Sequence, residues 1–246
     1  MHRLVLRSAA IFVGILVCVP LHYLWKLLGR RSGWPRRFLW WVGYASGMRV
    51  RIVGRPLPSH VLFAANHLSW LDIMVMAGAT GTAFVSKAEV GRTPVVGWLA
   101  NMNNTVYVER RDRAAAGSQA EALRAAISTG QPVALFPEGG TDGGADTLPF
   151  RASLFSSLFP PIDGVMVQAV AIDYGAAGPD IAWTGDEPAV ANVKRVLSRP
   201  GSTAVTLRFM PPMQPSHFHD RKDIANAAFE QVVAALEPSA PAADRL

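Results

Sequence analysis

The run FAANHLSWLDIMV, residues 63–75, sets four polar side chains between two apolar segments. Phe63, Ala64 and Ala65 read as a buried strand, and Leu71, Ile73, Met74 and Val75 read as the core face of a helix. Asn66, His67, Ser69 and Asp72 lie between them. On one continuous helix, residues five apart are separated by about 140° around the axis, so His67 and Asp72 would not share a face. A strand that turns into a helix brings them together instead. A carboxylate accepting from one imidazole nitrogen fixes the tautomer and raises basicity at the other, which makes a general base for a hydroxyl. The competing reading is a capping box, with Ser69 at the N-cap and Asp72 at N3, and His67 a satisfied core histidine. On the pattern alone the cap is favoured. The two are compatible, since Asp72 has an oxygen for each task.

Outward from this stretch, strands are predicted at 49–54, 60–66, 82–86, 104–110, 165–174 and 203–210, and 132–140 reads as a short buried strand that runs into a glycine turn. Helices are predicted at 70–79, at 94–102 with Pro94 at the start, at 113–129 ended by Gly130, at 148–159 and at 220–236. This alternation indicates an α/β fold with a largely parallel mixed sheet flanked by helices, over residues 48–236, before a flexible tail at 237–246. Sheet order is not readable from it. Ligands in such folds sit outside the carboxyl ends of the strands. Polar clusters fall there at 66–72, 104–111 and 136–142.

The first 47 residues are of another kind. Residues 1–60 hold ten Lys or Arg and no Asp or Glu, so all of the net charge of +6 arises there and the remainder is acidic on balance. Within this segment, residues 8–25 carry no charge beyond the titratable His22, enough for roughly 27 Å of helix. Lys26, Arg30 and Arg31 follow, then Trp34, Trp40 and Trp41 beside Arg36 and Arg37. Tryptophan prefers the headgroup region, and each Lys or Arg near anionic lipid contributes about 1 kcal/mol. No small-x-small cleavage site follows the apolar run, and Val17 before Cys18 is a poor lipoprotein signal. Membrane-anchoring helices are therefore expected over 1–47, the second of them interfacial near 35–47. Either one span or a hairpin in one leaflet fits. With no interleaved basic-aromatic groove beyond it, the basic segment points to lipid and not to nucleic acid. The single cysteine excludes an internal disulfide and a cysteine zinc cluster.

FPEGGTDGG (136–144) is a glycine turn after a strand, with backbone N–H groups able to face an anion, but without the spacing of a nucleotide loop. VERRDR (108–113) brings Arg110, Arg111 and Arg113 to a strand end, where guanidinium forks suit phosphate and a solvated charge run is the plainer reading. No Gly-x-Ser-x-Gly elbow exists, which disfavours a serine hydrolase, although Ser69 stands near His67. His217 and His219 form a His-x-His without the carboxylates of a metal site, so no metal is expected.

Taken in order, Asn66-His67-x4-Asp72, Tyr107-Val108-Glu109-Arg110, Phe136-Pro137-Glu138-Gly139 and the apolar strand near 165–174 resemble the glycerolipid acyltransferases, in particular the bacterial 1-acylglycerol-3-phosphate O-acyltransferase family. The resemblance covers roughly 48–215. It implies His67 as general base, Asp72 as its orienting partner and Arg110 as ligand of an acceptor phosphate. It further implies Glu138, Gly139, Gly140 and Thr141 as an acceptor-binding block, with Asn66 and Lys87 beside it. The implied reaction moves a fatty acyl group from acyl-CoA or acyl-carrier protein, a co-substrate rather than a cofactor, to the hydroxyl of a lysophospholipid. 1-Acylglycerol-3-phosphate is the first acceptor, giving phosphatidic acid, at the cytoplasmic side of a bacterial inner membrane. The stretch 146–155 is similar to a subgroup that includes lyso-ornithine-lipid acyltransferases, the alternative acceptor. A non-catalytic lipid-binding protein and a membrane-anchored lipid hydrolase are the rival classes. The family's glycine stands here as Asn104, its Glu-Gly-Thr becomes Glu138-Gly139-Gly140 with Thr141 displaced by one, and a common proline is Ala169.

Overall fold

A computed structural model describes residues 2–108, 116–141 and 147–237. It contains one seven-stranded sheet in the order β1-β7-β6-β2-β5-β3-β4, from strands β1 (Met48–Val53), β2 (Val61–Ala65), β3 (Ala83–Lys87), β4 (Val106–Val108), β5 (Val133–Leu135), β6 (Met166–Asp173) and β7 (Thr203–Phe209). Every neighbouring pair is parallel except β6 with β7. β2 and β6, at the centre, are buried on both faces, which accounts for their near-continuous apolar sequences.

Strand alternation divides the core in two. Val61, Phe63 and Ala65 face one layer, with Leu71, Val75 and Met76 of α3 (Leu71–Thr80). Leu62 and Ala64 face the other, with Leu123 and Ile127 of α6 (Ala116–Ser128) and Ile224, Ala228 and Val232 of α9 (Arg221–Leu236). α6 stops as the sequence indicates, at Gly130 with φ 90°. Between α3 and α6, α4 (Ala88–Gly91) and α5 (Val96–Met102) lead into β4. α5 begins two residues after Pro94, because Val95 is held at φ 65°. Asn104, where a glycine was expected by resemblance, takes φ 55°, the left-handed region that asparagine tolerates best after glycine.

Two expectations fail locally. Residues 148–159 do not form an α-helix. Ala152–Leu158 is a 3-10 helix, lying between Pro149 and the Pro160-Pro161 pair. Phe159 precedes a proline and is extended (φ −123°, ψ 130°), which ends the turns before Pro160. Three-residue periodicity still buries Phe155 and Leu158 together. The segment after β6 also holds α7 (Gly178–Ile181) and α8 (Ala189–Ser198), neither of which was predicted.

The N-terminus forms a hairpin of α1 (His2–Leu27) and α2 (Trp34–Ala45). Cys18 of α1 packs on Phe38 and Val42 of α2, and Trp41 Nε1 donates to Ala10 O at 2.7 Å. α2 in turn lies on α3, where Arg36 donates to Gly78 O and Ala79 O.

Candidate active site

β2 ends at Ala65 and α3 begins at Leu71, so the five intervening residues make the sharp connection that the sequence required. Asn66, 1 % exposed, pins the strand end: its Nδ2 donates to Ile172 O at 3.0 Å and its Oδ1 accepts from Ile172 N at 2.7 Å. The chain then turns under His67, whose Nδ1 lies 2.9 Å from Asp72 Oδ2. The same oxygen accepts the backbone N–H groups of Leu68 (2.7 Å) and Ser69 (2.8 Å). Asp72 thus orients the imidazole and satisfies the helix start through one oxygen, not through two.

Half of the expected capping box is present. The Asp72 carboxylate reaches back to Ser69 N, while the Ser69 hydroxyl sits 3.4 Å from Leu71 N and Trp70 occupies the N-cap. Oδ1 of Asp72 accepts from the Tyr174 hydroxyl at 2.7 Å. Burial, reinforced by the charge of Asp72 and this bond, holds the Tyr174 phenol well above its ordinary value, so it stays a donor.

The ring of His67 lies parallel to that of Phe136, centroids 4.0 Å apart and planes within 10°. Phe136 opens the turn after β5, closed by Gly139 N donating to Phe136 O at 3.1 Å with Pro137 at its second position. Glu138, buried, accepts from His67 N through Oε1 at 3.2 Å, joining this turn to the dyad loop. Gly139 has φ 86°, a backbone conformation that favours glycine, and the guanidinium of Arg151 lies where a Cβ would be, 2.7 Å from it at Cζ. Arg151, not singled out in the sequence, lies against this turn.

His67, Asn66 and Glu138 line a cleft of about 460 Å³ at the carboxyl ends of β2, β5 and β6. Tyr174 closes one side, and Phe229 and Val233 of α9 give it an apolar wall. Gly139, Gly140 and Thr141 lie outside the set of described residues lining it. Lys87 ends β3 beyond β5, and its side chain, like Arg110 with its neighbours Arg111 and Arg113, lies outside the described residues. Among the described residues no three His, Cys, Asp or Glu side chains gather as a metal site.

The segment 178–199 braces the dyad loop. Trp183 N donates to Leu68 O at 2.8 Å, and Trp70 Nε1 donates to the buried Asn192 Oδ1 at 3.1 Å. Phe136 enters the sequence reading only as part of the Phe136-Pro137-Glu138-Gly139 block, and Tyr174 and Asn192 are not singled out there, for an aromatic closing an apolar strand reads as core and a lone asparagine as surface. The one available signal was that Tyr174 directly follows a buried strand at the end where ligands bind.

The family model described as Acyltransferase matches residues 49–173. The lyso-ornithine lipid O-acyltransferase of Brucella abortus is 33 % identical over 258 residues, covering 96 % of this chain and 94 % of that protein. The 1-acyl-sn-glycerol-3-phosphate acyltransferase of Neisseria meningitidis is 40 % identical over 125 residues, 50 % of this chain and 48 % of that one. The crystal structure of the 1-acyl-sn-glycerophosphate acyltransferase PlsC from Thermotoga maritima superposes with a TM-score of 0.65 at 21 % identity, over 94 % of this chain and 92 % of that chain. That structure has the same fold.

Proposed function

Since this chain belongs to the Acyltransferase family, we propose that it transfers a fatty acyl group to the free hydroxyl of a lysolipid, with His67 as general base. The observation that carries the mechanism is the His67 Nδ1–Asp72 Oδ2 contact of 2.9 Å, which leaves the imidazole's Nε2 for the reaction while His67 lines the cleft. Nε2 removes the proton of the acceptor hydroxyl as its oxygen attacks the thioester carbonyl of acyl-CoA or acyl-carrier protein. The carbon–sulfur bond then breaks, and the imidazolium returns the proton to the departing thiolate. No acyl-enzyme is required.

The acceptor we favour is a lyso-ornithine lipid, because the relative of that name matches along nearly its whole length. A second reading, 1-acylglycerol-3-phosphate, is supported by the 40 % identity of the Neisseria protein over half its length and by Arg110, the resemblance's phosphate ligand. Labelled acyl donor and a panel of lysolipids separate the two. Transfer to lyso-ornithine lipid is expected, and transfer confined to 1-acylglycerol-3-phosphate would reassign the acceptor. Arg110→Ala should raise KM for a phosphate-bearing acceptor and leave that for lyso-ornithine lipid unchanged. Release of free fatty acid without an acceptor would indicate a hydrolase, and no turnover at all a lipid-binding role.

His67→Ala should lower transfer by about 10²–10⁴-fold, the usual contribution of a positioned base, with unchanged circular dichroism and vesicle binding. Near wild-type transfer by that variant would refute the assignment.

For attachment, we propose that the hairpin lies in one leaflet with the sheet on the cytoplasmic side of the inner membrane. α1 is long and apolar enough to cross, but it is tied to the α/β core near both ends. Arg7 donates to Leu197 O and Gly201 O, and Tyr23 accepts from Trp98 Nε1 at 2.9 Å. These anchors are sixteen residues apart, about 24 Å along the helix, so the same core flanks most of its length.

A further inference from the structure

The dyad has an unequally supplied carboxylate. Asp72 is wholly buried, and Oδ2 takes its donors from His67, Leu68 and Ser69, all within the five residues before it. Oδ1 accepts from a single described donor, the hydroxyl of Tyr174, 102 residues further along the chain. Tyr174 follows the last residue of β6, is 3 % exposed and lines the cleft on the side opposite Glu138's turn. We propose that Tyr174 is a positioning residue of the dyad: it fixes the plane of the Asp72 carboxylate and sets how strongly that carboxylate draws on the His67 imidazole. The inference rests on the reading of His67 as general base.

Two physical effects follow from one bond. The terminal torsion of aspartate is soft, so a carboxylate gripped at one oxygen can pivot about its Cβ–Cγ bond, whereas one gripped at both cannot. The phenol also turns the positive end of its O–H dipole toward Asp72 and takes up part of the negative charge. Without it, more charge stays on Oδ2, and the imidazolium is favoured. Among the described residues, three further carboxylates line the cleft around His67. Glu138 reaches it from the β5 turn, Asp173 from the end of β6, where it pairs with Arg208, and Glu237 from the end of α9. Phe136 brings no charge. Tyr174→Phe alters none of these and fills the same space, so packing alone predicts an unchanged pH profile.

The experiment measures kcat/KM against pH for the full chain in lipid vesicles, comparing wild type, Tyr174→Phe and 3-fluorotyrosine placed at 174. The acidic limb should move to higher pH in Tyr174→Phe, by about half a pH unit or more, as expected when a hydrogen bond to a charged partner is lost. The stronger donor fluorotyrosine should move it the other way. A fall in kcat with an unmoved limb, or a limb moved in the same sense by both variants, would overturn the proposal. The fluorinated protein keeps the test open should the phenylalanine variant not fold. A carbon-13 titration of the imidazoles, with the His67 signal identified by its absence in His67→Ala, reads the same displacement without turnover. An inactive protein whose His67 signal still shifts defeats the acyltransfer reading alone. An unshifted signal defeats the role of Tyr174.

Discussion

The imidazole of His67 is held on two sides by different physics: a charge-bearing hydrogen bond at its edge and a flat aromatic contact on its face. Phe136 supplies the face and is itself stacked on Phe84, centroids 5.7 Å apart. Phe136→Leu keeps apolar bulk and removes the stack. It should cost about 1 kcal/mol of stability and lower kcat several-fold while leaving KM for the acceptor unchanged, measured by thermal unfolding and steady-state kinetics. An equal rise in KM would show instead that Phe136 contacts substrate. On the pattern alone the stretch around His67 and Asp72 reads as a helix cap, and only its place among the ordered blocks shared with the acyltransferases points to a dyad. The sequence did not reveal that Asp72 serves cap and imidazole through one oxygen. The other oxygen is taken by Tyr174, a contact 102 residues away in the chain. Nor did it reveal that both polar groups of Asn66 are engaged by Ile172.

Among the elements, α8 is the informative case. Its Asn192 joins the dyad loop to Glu187, with Nδ2 donating to Glu187 Oε2 at 2.6 Å, and Arg195 grips both oxygens of that carboxylate. Hydrogen bonds from Arg195 first and Asn192 second lower Glu187 from the ordinary 4.5 to about 2. A carboxylate depressed in the folded state lends stability that is complete above its unfolded value and is lost as pH falls through its folded value. The contribution of Glu187 should therefore be intact above about pH 4.5 and vanish toward pH 2. Glu187→Gln should flatten the melting temperature against pH in that window, and an unaltered acid limb would mean the carboxylate is not held in solution. α8 is not legible in the sequence because its Val190, Val193 and Val196 are weak helix formers, set after a loop of Gly, Pro and Asp. The 3-10 helix is hard to tell from α in the sequence because its apolar residues suit either period, and only the flanking prolines discriminate. β1 to β7 and the long helices are legible, the strands as runs of β-branched and aromatic residues and the helices through i, i+4 pairs such as Leu123 and Ile127.

For the whole molecule, the sheet order was out of reach of any local pattern. β2 pairs with β6, about a hundred residues distant, and their partnership decides where Tyr174 and Ile172 meet the dyad. The same long-range packing bears on how the chain meets a bilayer, which composition alone left open between one span and a hairpin. Along α1, Leu6, Phe12, Val13, Leu16 and Leu27 are exposed, while Lys26, Arg30, Arg31, Arg36 and Arg37 stand exposed around the hairpin turn. An apolar face of this size rimmed by cations matches the boundary between headgroups and acyl chains. Leu16→Asp, on that face and away from the anchors at Arg7 and Tyr23, should cut partition into anionic vesicles by about tenfold or more, since burying one leucine is worth about 1.5–3 kcal/mol. Orientation is tested with cysteines placed singly at the exposed Arg3 and Arg30, which flank the apolar face, in a Cys18→Ser background. If α1 lies in one leaflet, a membrane-impermeant maleimide labels both sites from the same side of sealed vesicles. Labelling from opposite sides would make α1 a span. It would then also require the contacts of Arg7 with Leu197 and Gly201, or of Tyr23 with Trp98, to break in the membrane.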